Sequence, residues 1–374
     1  MRLSLAVTVL LSLACSGPAT RNEPPPPEAP PTETETQAVT VGDYEVHEWG
    51  LLRGVVGADA LENGAIAPPV APMPLTVDKP VLYFHASSAT RLERVGVEAV
   101  GGTIREHWPS TAPGFPTRIA WEGLSLDPAR AVAPGVCASP AFPTAEQAPC
   151  NALPAGERCE SPELATVRAN GATCVGEAPF LFYRSRTSTF TPPLRLTRRS
   201  DEAIEVVNAG EAPIPGFVVR IEHRNGRTRT LAVRPPAPGA TLVIGRDYDT
   251  ADLPPMPTAD DEVSDMPVEG PDQLEAGRRA VRATMTELGL TETEIDAFLA
   301  AWDATLFGDG VEDRRGVDVD VLTADRTQLD GVFAPVHAIL YFLPTRTCNQ
   351  VARLSFDPPP REVHRALAVW IRVD

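Results

Sequence analysis

Residues Phe217–Val233 read FVVRIEHRNGRTRTLAV. Two arms of alternating side chains flank Asn225-Gly226, the pair that suits a two-residue type I′ turn because both central positions need positive φ. The alternation predicts an antiparallel hairpin with one face buried. Outward from it, Thr241–Ile244, Ala203–Val207 and Leu194–Thr197 supply further short strand-like segments. Strands at this spacing, separated by turn residues, predict a sandwich-like β-region over 177–250. Forty prolines among 374 residues, about twice the usual share, limit long helices and favour a strand-and-loop chain.

The same pattern extends upstream. Val81-Leu82-Tyr83-Phe84 is a short, unbroken apolar run after Pro80, the mark of a strand covered on both faces, and Arg91–Val100 and Thr117–Trp121 alternate more openly. Residues 39–136 therefore read as an N-terminal β domain. Phe180-Leu181-Phe182-Tyr183 resumes the strands after a cysteine-rich loop at 137–176. Residues 251–272, rich in proline and acid, read as a linker.

Periodicity changes in residues 273–374. Leu274, Val281, Met285 and Leu288 share one helical face, and Gly289-Leu290 closes that helix. Thr291 and Glu294 form the signature of a capping box, and Ile295, Phe298, Leu299, Trp302 and Leu306 make the next apolar stripe. Ala338–Leu343 and Val351–Phe356 read as strands, and the segment after Pro358-Pro359-Pro360 as a short helix or strand. The fold class expected is mainly β with a C-terminal α+β portion: β-sandwich-like modules plus a helical hairpin.

The N-terminus carries an address. Met1-Arg2, the apolar Leu3–Leu13 and Ala14-Cys15 predict a signal peptide over 1–14, too short for a membrane span. It resembles a bacterial lipoprotein signal, in which the cysteine is acylated, although Ser12 and Leu13 stand where Leu and a small residue are usual. Ordinary cleavage near Ala14 is the alternative. Cys15 is then the lipid attachment site, and Ser16 after it resembles the outer-membrane sorting signal. Residues 15–38, with Pro24-Pro25-Pro26-Pro27 and alternating Thr and Glu, hold too little apolar surface to fold and read as a stiff tether. The expected location is extracytoplasmic, lipid-anchored and in the outer membrane. The membrane is the expected partner through that anchor, with an envelope protein or glycan as a further one.

Cysteine use agrees with an oxidising compartment. Cys137, Cys150, Cys159 and Cys174 fall within 38 residues without a CxxC pair, so two disulfides stapling a loop is the stronger reading and a zinc site the weaker. Three pairings are open. Cys348 is left over and reads as a buried thiol, with a reactive thiol as the alternative. The formal charge of −17 argues against nucleic acid as a partner. Charge is uneven: ten arginines and five acids over 180–235 against six arginines and twenty acids over 251–330. Mutual neutralisation is the simpler reading, and an anionic envelope ligand on the arginines the other.

Standard catalytic signatures are missing: there is no HExxH, GxSxG, GxGxxG or phosphate loop. Asp309, Asp313, Asp318 and Asp320 are wrongly spaced for a calcium loop. What stands out is His47-Glu48-Trp49-Gly50, His85, and Glu106-His107-Trp108. If Tyr44–Trp49 is a strand, Val46 and Glu48 share one face, and His47 and Trp49 the other. In one reading these are core polar groups satisfied by hydrogen bonds. In the other, His47, His85 and His107 with Glu48 or Glu106 bind a divalent metal such as zinc, and the protein is a metal-dependent hydrolase. The first implies no cofactor and a non-catalytic binding or structural role.

The tetrapeptide His47–Gly50, Lys79-Pro80-Val81-Leu82-Tyr83-Phe84, Ile104-Arg105-Glu106-His107-Trp108-Pro109 and Ile339-Leu340-Tyr341-Phe342-Leu343-Pro344 together resemble an uncharacterised group of exported bacterial proteins of myxobacterial and planctomycete type. Leu51-Leu52 follows the tetrapeptide where that group has Thr-Phe, which makes the chain a divergent member. The resemblance implies an architecture and no mechanism. Separately, Val207 through Pro238-Gly239 resembles the immunoglobulin-like modules of bacterial surface proteins.

Overall fold

The run Val81–Phe84 is buried on every side chain, as an apolar segment without alternation requires. It belongs to β2 (Leu75–Ala86), flanked on one side by β1 (Tyr44–Val56) and on the other by β7 (Leu181–Thr187) and β6 (Thr173–Val175). The computed structural model describes residues 40–56, 75–109, 111, 116–131, 172–187, 189–200, 203–224, 227–245, 271–308 and 336–373. The signal peptide, the tether with Cys15, and nearly all of the cysteine loop and acidic linker lie outside the described residues.

Beyond β2 the upstream strands are β3 (Thr90–Ala99), β4 (Gly102–Trp108) and β5 (Arg118–Ala131). The predicted hairpin is β10 (Val218–Arg224) and β11 (Arg227–Val233), with Arg224 opposite Arg227, the register of a two-residue turn. The C-terminal strands are β13 (Val336–Phe342), β14 (Ala352–Asp357) and β15 (Glu362–Val373). All twelve join one sheet, with a main path β11-β10-β13-β15-β1-β2-β6-β5-β3-β14 and with β7 and β4 branching from β2. β15 resolves the choice left after the triple proline: it is a strand.

Strands β8 (Leu194–Ser200), β9 (Ala203–Asn208) and β12 (Thr241–Ile244) form a separate three-stranded sheet. Its Leu194, Leu196, Ile204, Val206 and Ile244 share a core with Ile339, Tyr341, Val369 and Ile371 of the large sheet. Sandwich-like packing is therefore present, but between this small sheet and strands that come largely from the chain's two ends. The β10–β11 hairpin, expected within a module spanning 177–250, instead continues the large sheet through β13. The segments read as an N-terminal β domain, a sandwich-like region and a C-terminal portion contribute to one sheet, and Thr40–Asp374 forms a single compact unit.

Helices α1 (Pro271–Glu287) and α2 (Glu292–Phe307) cover the opposite face. Phe298 of α2 meets Trp49 edge-on at 5.6 Å between ring centres and Phe342 at 6.1 Å, which places the apolar stripe on β1 and β13. Arg278 ties the two helices through a bidentate pair with Asp303 at 2.6 and 2.7 Å. A short helix, α3 (Thr345–Cys348), follows β13. The mainly β fold with its C-terminal helical hairpin is as the periodicity predicts.

One strand pairing positions the histidines. β1 and β15 lie side by side and parallel, with His47 opposite His364 and Glu48 opposite Arg365. On its other edge β1 runs antiparallel to β2, with Glu45 opposite His85. A bulge between Trp49 and Leu51 falls at Gly50, where a Cβ would stand 3.1 Å from the Pro80 backbone and 3.3 Å from Leu367. The glycine of the tetrapeptide thus allows the close approach of three strands.

Candidate metal centre

Alternation along β1 puts His47 and Trp49 on the helix-facing side, as their spacing predicts. Four-residue periodicity along α2 puts Glu294 and Phe298 on the side facing them. The two patterns meet pairwise: Trp49 packs on Phe298, and His47 reaches Glu294. Glu294 is the third residue of α2 and closes the predicted capping box. Its Oε2 accepts the Thr291 backbone N–H at 2.8 Å, and its own N–H points at Thr291 Oγ1. The same Oε2 lies 2.8 Å from His47 Nδ1, and Oε1 lies 2.7 Å from His85 Nε2. One buried carboxylate therefore serves the helix cap and two imidazoles.

The three histidines sit on three adjacent strands. His47 lies between the others, its ring centre 4.3 Å from that of His85 and 4.8 Å from that of His364. Glu45, two residues before His47, is held by Arg361 at 3.2 Å. Glu294 is fully buried and His47 nearly so, whereas the side chains of His85, His364 and Glu45 keep 22%, 20% and 34% exposure. The cluster is thus rooted in the core and opens to solvent along one side. Ligand atoms of His47, His85 and Glu294 lie within 4.8 Å of one another, and so do those of Glu45, His47 and His364.

Burial pushes the Glu294 carboxyl up, but the hydrogen bonds from His47 and His85, and the charge these rings carry when protonated, outweigh it and hold the group down at about 2. The N-terminal end of α2 also favours negative charge there. An ionised carboxylate only accepts, so the two imidazole nitrogens facing it carry protons. His47 Nε2, on the other side of that ring, is buried and has no hydrogen-bond partner among the described residues.

The other candidates do not join this cluster. Glu48 points to the opposite side of β1, where it pairs with Arg365 Nε and accepts the Tyr183 hydroxyl at 2.7 Å. Arg365 also donates to Asn349 Oδ1 at 2.8 Å and to the Ala352 carbonyl at 3.0 Å. Glu106 is buried against Arg184 at 3.4 Å. His107 Nε2 accepts the Thr111 N–H, its ring lies near Trp121, and burial lowers its pKa. These three follow the satisfied-polar reading, while His47 and His85 converge. The predicted metal set of His47, Glu48, His85, Glu106 and His107 is thus split: an arginine neutralises each of the two glutamates, and His107 lies on another strand pair.

Cys174 is buried in β6; Cys137, Cys150 and Cys159 lie outside the described residues, as does Cys15. Cys348 is a buried free thiol, as the first of its two readings predicts, and burial pushes its pKa up to about 12. Among the arginines of 180–235, Arg220 is buried on β10 and donates to Glu222, His337 and the Ile244 carbonyl. The acidic stretches expected to face them lie largely outside the described residues.

Sequence reading missed Glu294, His364 and Glu45. Glu294 had a complete explanation as a cap, which hid its second task. His364 lies 317 residues from His47 and carries no local motif. Its neighbour Gly289, at φ +88°, is the glycine that closes α1; a Cβ there would stand 2.2 Å from His364 Nδ1. The site and fold define a mixed-sheet protein with a histidine–carboxylate cluster under a helical hairpin. No family model and no curated protein matches the chain.

Proposed function

We propose that the protein is a lipid-anchored extracytoplasmic protein of the outer membrane with a binding role, and that its folded part binds a divalent metal ion such as zinc at the His47–His85–His364 cluster. The observation that carries the metal reading is the buried nitrogen of His47, without a hydrogen-bond partner among the described residues, set among two further imidazoles and two carboxylates. Neutral imidazole with carboxylate is the donor set of zinc and similar divalent ions. The anchor rests on Leu3–Leu13 with Cys15, the polar tether and the resemblance to exported bacterial proteins. Cys137, Cys150, Cys159 and Cys174 are assigned to two disulfides of the oxidising compartment. An envelope protein or glycan completes the partners.

The alternative, a metal-dependent hydrolase, uses the same site. It is favoured by the partial exposure of His85, His364 and Glu45, which gives a bound ion contact with water.

Thermal unfolding of the detergent-purified full chain tests the metal reading. Zn²⁺ at a hundredfold excess over its dissociation constant stabilises by ~2.7 kcal/mol. The expected result is a rise in Tm with the metal that His47→Ala abolishes. No rise in the native chain contradicts the reading. For the anchor, Cys15→Ala is expected to move the chain from the membrane fraction to the soluble one, and an unchanged distribution contradicts it.

A further inference from the structure

Resting on the metal reading, we infer that the ion is held by His47 Nε2, His364 and Glu45, with Glu294 as the positioning residue that fixes the His47 ring from behind. Two overlapping triads share His47, and the hydrogen bonds already made by Glu294 separate them. Two ligand atoms at ~2.1 Å from a tetrahedral zinc stand roughly 3.4 Å apart. The Glu294 contacts, at 2.8 and 2.7 Å, are hydrogen bonds, too short for a shared ion and already complete.

The tautomer follows from the same contacts. Glu294 accepts from His47 Nδ1–H, which leaves the lone pair of the neutral ring on Nε2. That nitrogen is the buried one with no hydrogen-bond partner among the described residues, a deficit that a bound ion makes good. A carboxylate that orients a metal-binding imidazole through its far nitrogen is a recurrent supporting device. Here it is built from the cap of a helix.

The remaining ligands are fixed independently. His364 stands opposite His47 in the parallel register, and Gly289 gives its ring room. Glu45 is two residues from His47 on the same face, and Arg361 holds its Oε1, leaving Oε2 for the ion. Two imidazoles and one carboxylate make a three-ligand set with a fourth position toward solvent. Because Glu294 also caps α2, docking of the helical hairpin and affinity for the ion are linked: whatever loosens the α1–α2 turn weakens the site.

Titration of the metal-stripped full chain with Co²⁺, following its ligand-field spectrum, tests this. Wild type is expected to take up one Co²⁺ with a tetrahedral spectrum. His364→Ala and Glu45→Gln are each expected to weaken binding by more than a hundredfold or to change the band pattern. Glu294→Gln is expected to keep the wild-type bands while binding 10–100-fold more weakly. His85→Ala is expected to weaken binding less than tenfold, and His107→Ala to leave it unchanged. Far-UV circular dichroism checks each variant's folding, with His364→Gln and Glu45→Ala as second variants where one fails. Loss of binding in His85→Ala and Glu294→Gln, with His364→Ala and Glu45→Gln unaffected, overturns the assignment and moves the ion to the Glu294 side. Failure of wild type to bind Co²⁺ or Zn²⁺ overturns the metal reading itself.

Discussion

Replacing Arg365 by Met removes a guanidinium that is 3% exposed and leaves Glu48, fully buried, with the Tyr183 hydroxyl alone. Burial works against the charge on Arg365, and the Glu48 carboxylate outweighs it, keeping the guanidinium firmly protonated. The pair joins β1 to β15, and Arg365 also holds Asn349 beyond α3 and the Ala352 carbonyl of β14. Breaking one side of a buried pair costs about 3–5 kcal/mol, because the other charge stays buried. At ~2 °C per kcal/mol for a domain of this size, Arg365→Met is expected to lower Tm by roughly 6–10 °C. Glu48→Leu alone is expected to cost a similar amount. The double variant Glu48→Leu/Arg365→Met is expected to return to within ~2 kcal/mol of wild type, since two apolar side chains leave no buried charge. Denaturant unfolding of all four proteins measures the cycle. A cost below 1 kcal/mol for Arg365→Met, or additive effects in the double variant, refutes the view of this pair as a buried, mutually dependent lock.

Three further outcomes follow from particular contacts. In the metal-free protein the Glu294 carboxyl is held at about 2 against an ordinary 4.5, so it stabilises the fold above pH 4.5 and loses that contribution as pH falls toward 2. The difference is worth about 3 kcal/mol, and the acid unfolding profile of Glu294→Gln is expected to lack that share of the pH dependence. Gly289→Ala places a side chain at φ +88° and against His364, and is expected to cost about 1–3 kcal/mol together with metal affinity; an unchanged Tm contradicts the reading of that turn. Cys348, whose thiol burial pushes up to about 12, is expected to react with a thiol reagent only at the rate of unfolding; labelling within minutes in the native state contradicts its burial.

What the sequence carried was local. The Asn-Gly hairpin, the Val81–Phe84 run and the Thr291–Glu294 cap depend on neighbours within a few residues, and each appears in the structure. The parity of His47 and Trp49 was equally legible, but Glu294 was read only as a cap, and nothing local showed that α2 would face β1. The parallel pairing of β1 with β15 joins residues more than 300 apart, and no periodicity encodes a partner at that separation. The β10–β11 hairpin shows the limit most clearly: its turn was readable, its sheet was not. Of the two readings open for Glu48 and Glu106, core groups satisfied by hydrogen bonds or metal ligands, their burial fits the first, with arginine as the partner in both cases. An arginine in a strand alternates like any polar residue, so its burial becomes visible only once both faces of the sheet are covered.

The histidine cluster is expected to hold an ion in the protein as isolated. Elemental analysis of the full chain, purified in detergent from membranes without a histidine tag, measures this directly beside His47→Ala. The prediction is about one equivalent of zinc or a similar divalent metal in the native protein and none in the variant. Metal-free native protein that also fails to retain added Zn²⁺, or equal metal in both, contradicts it.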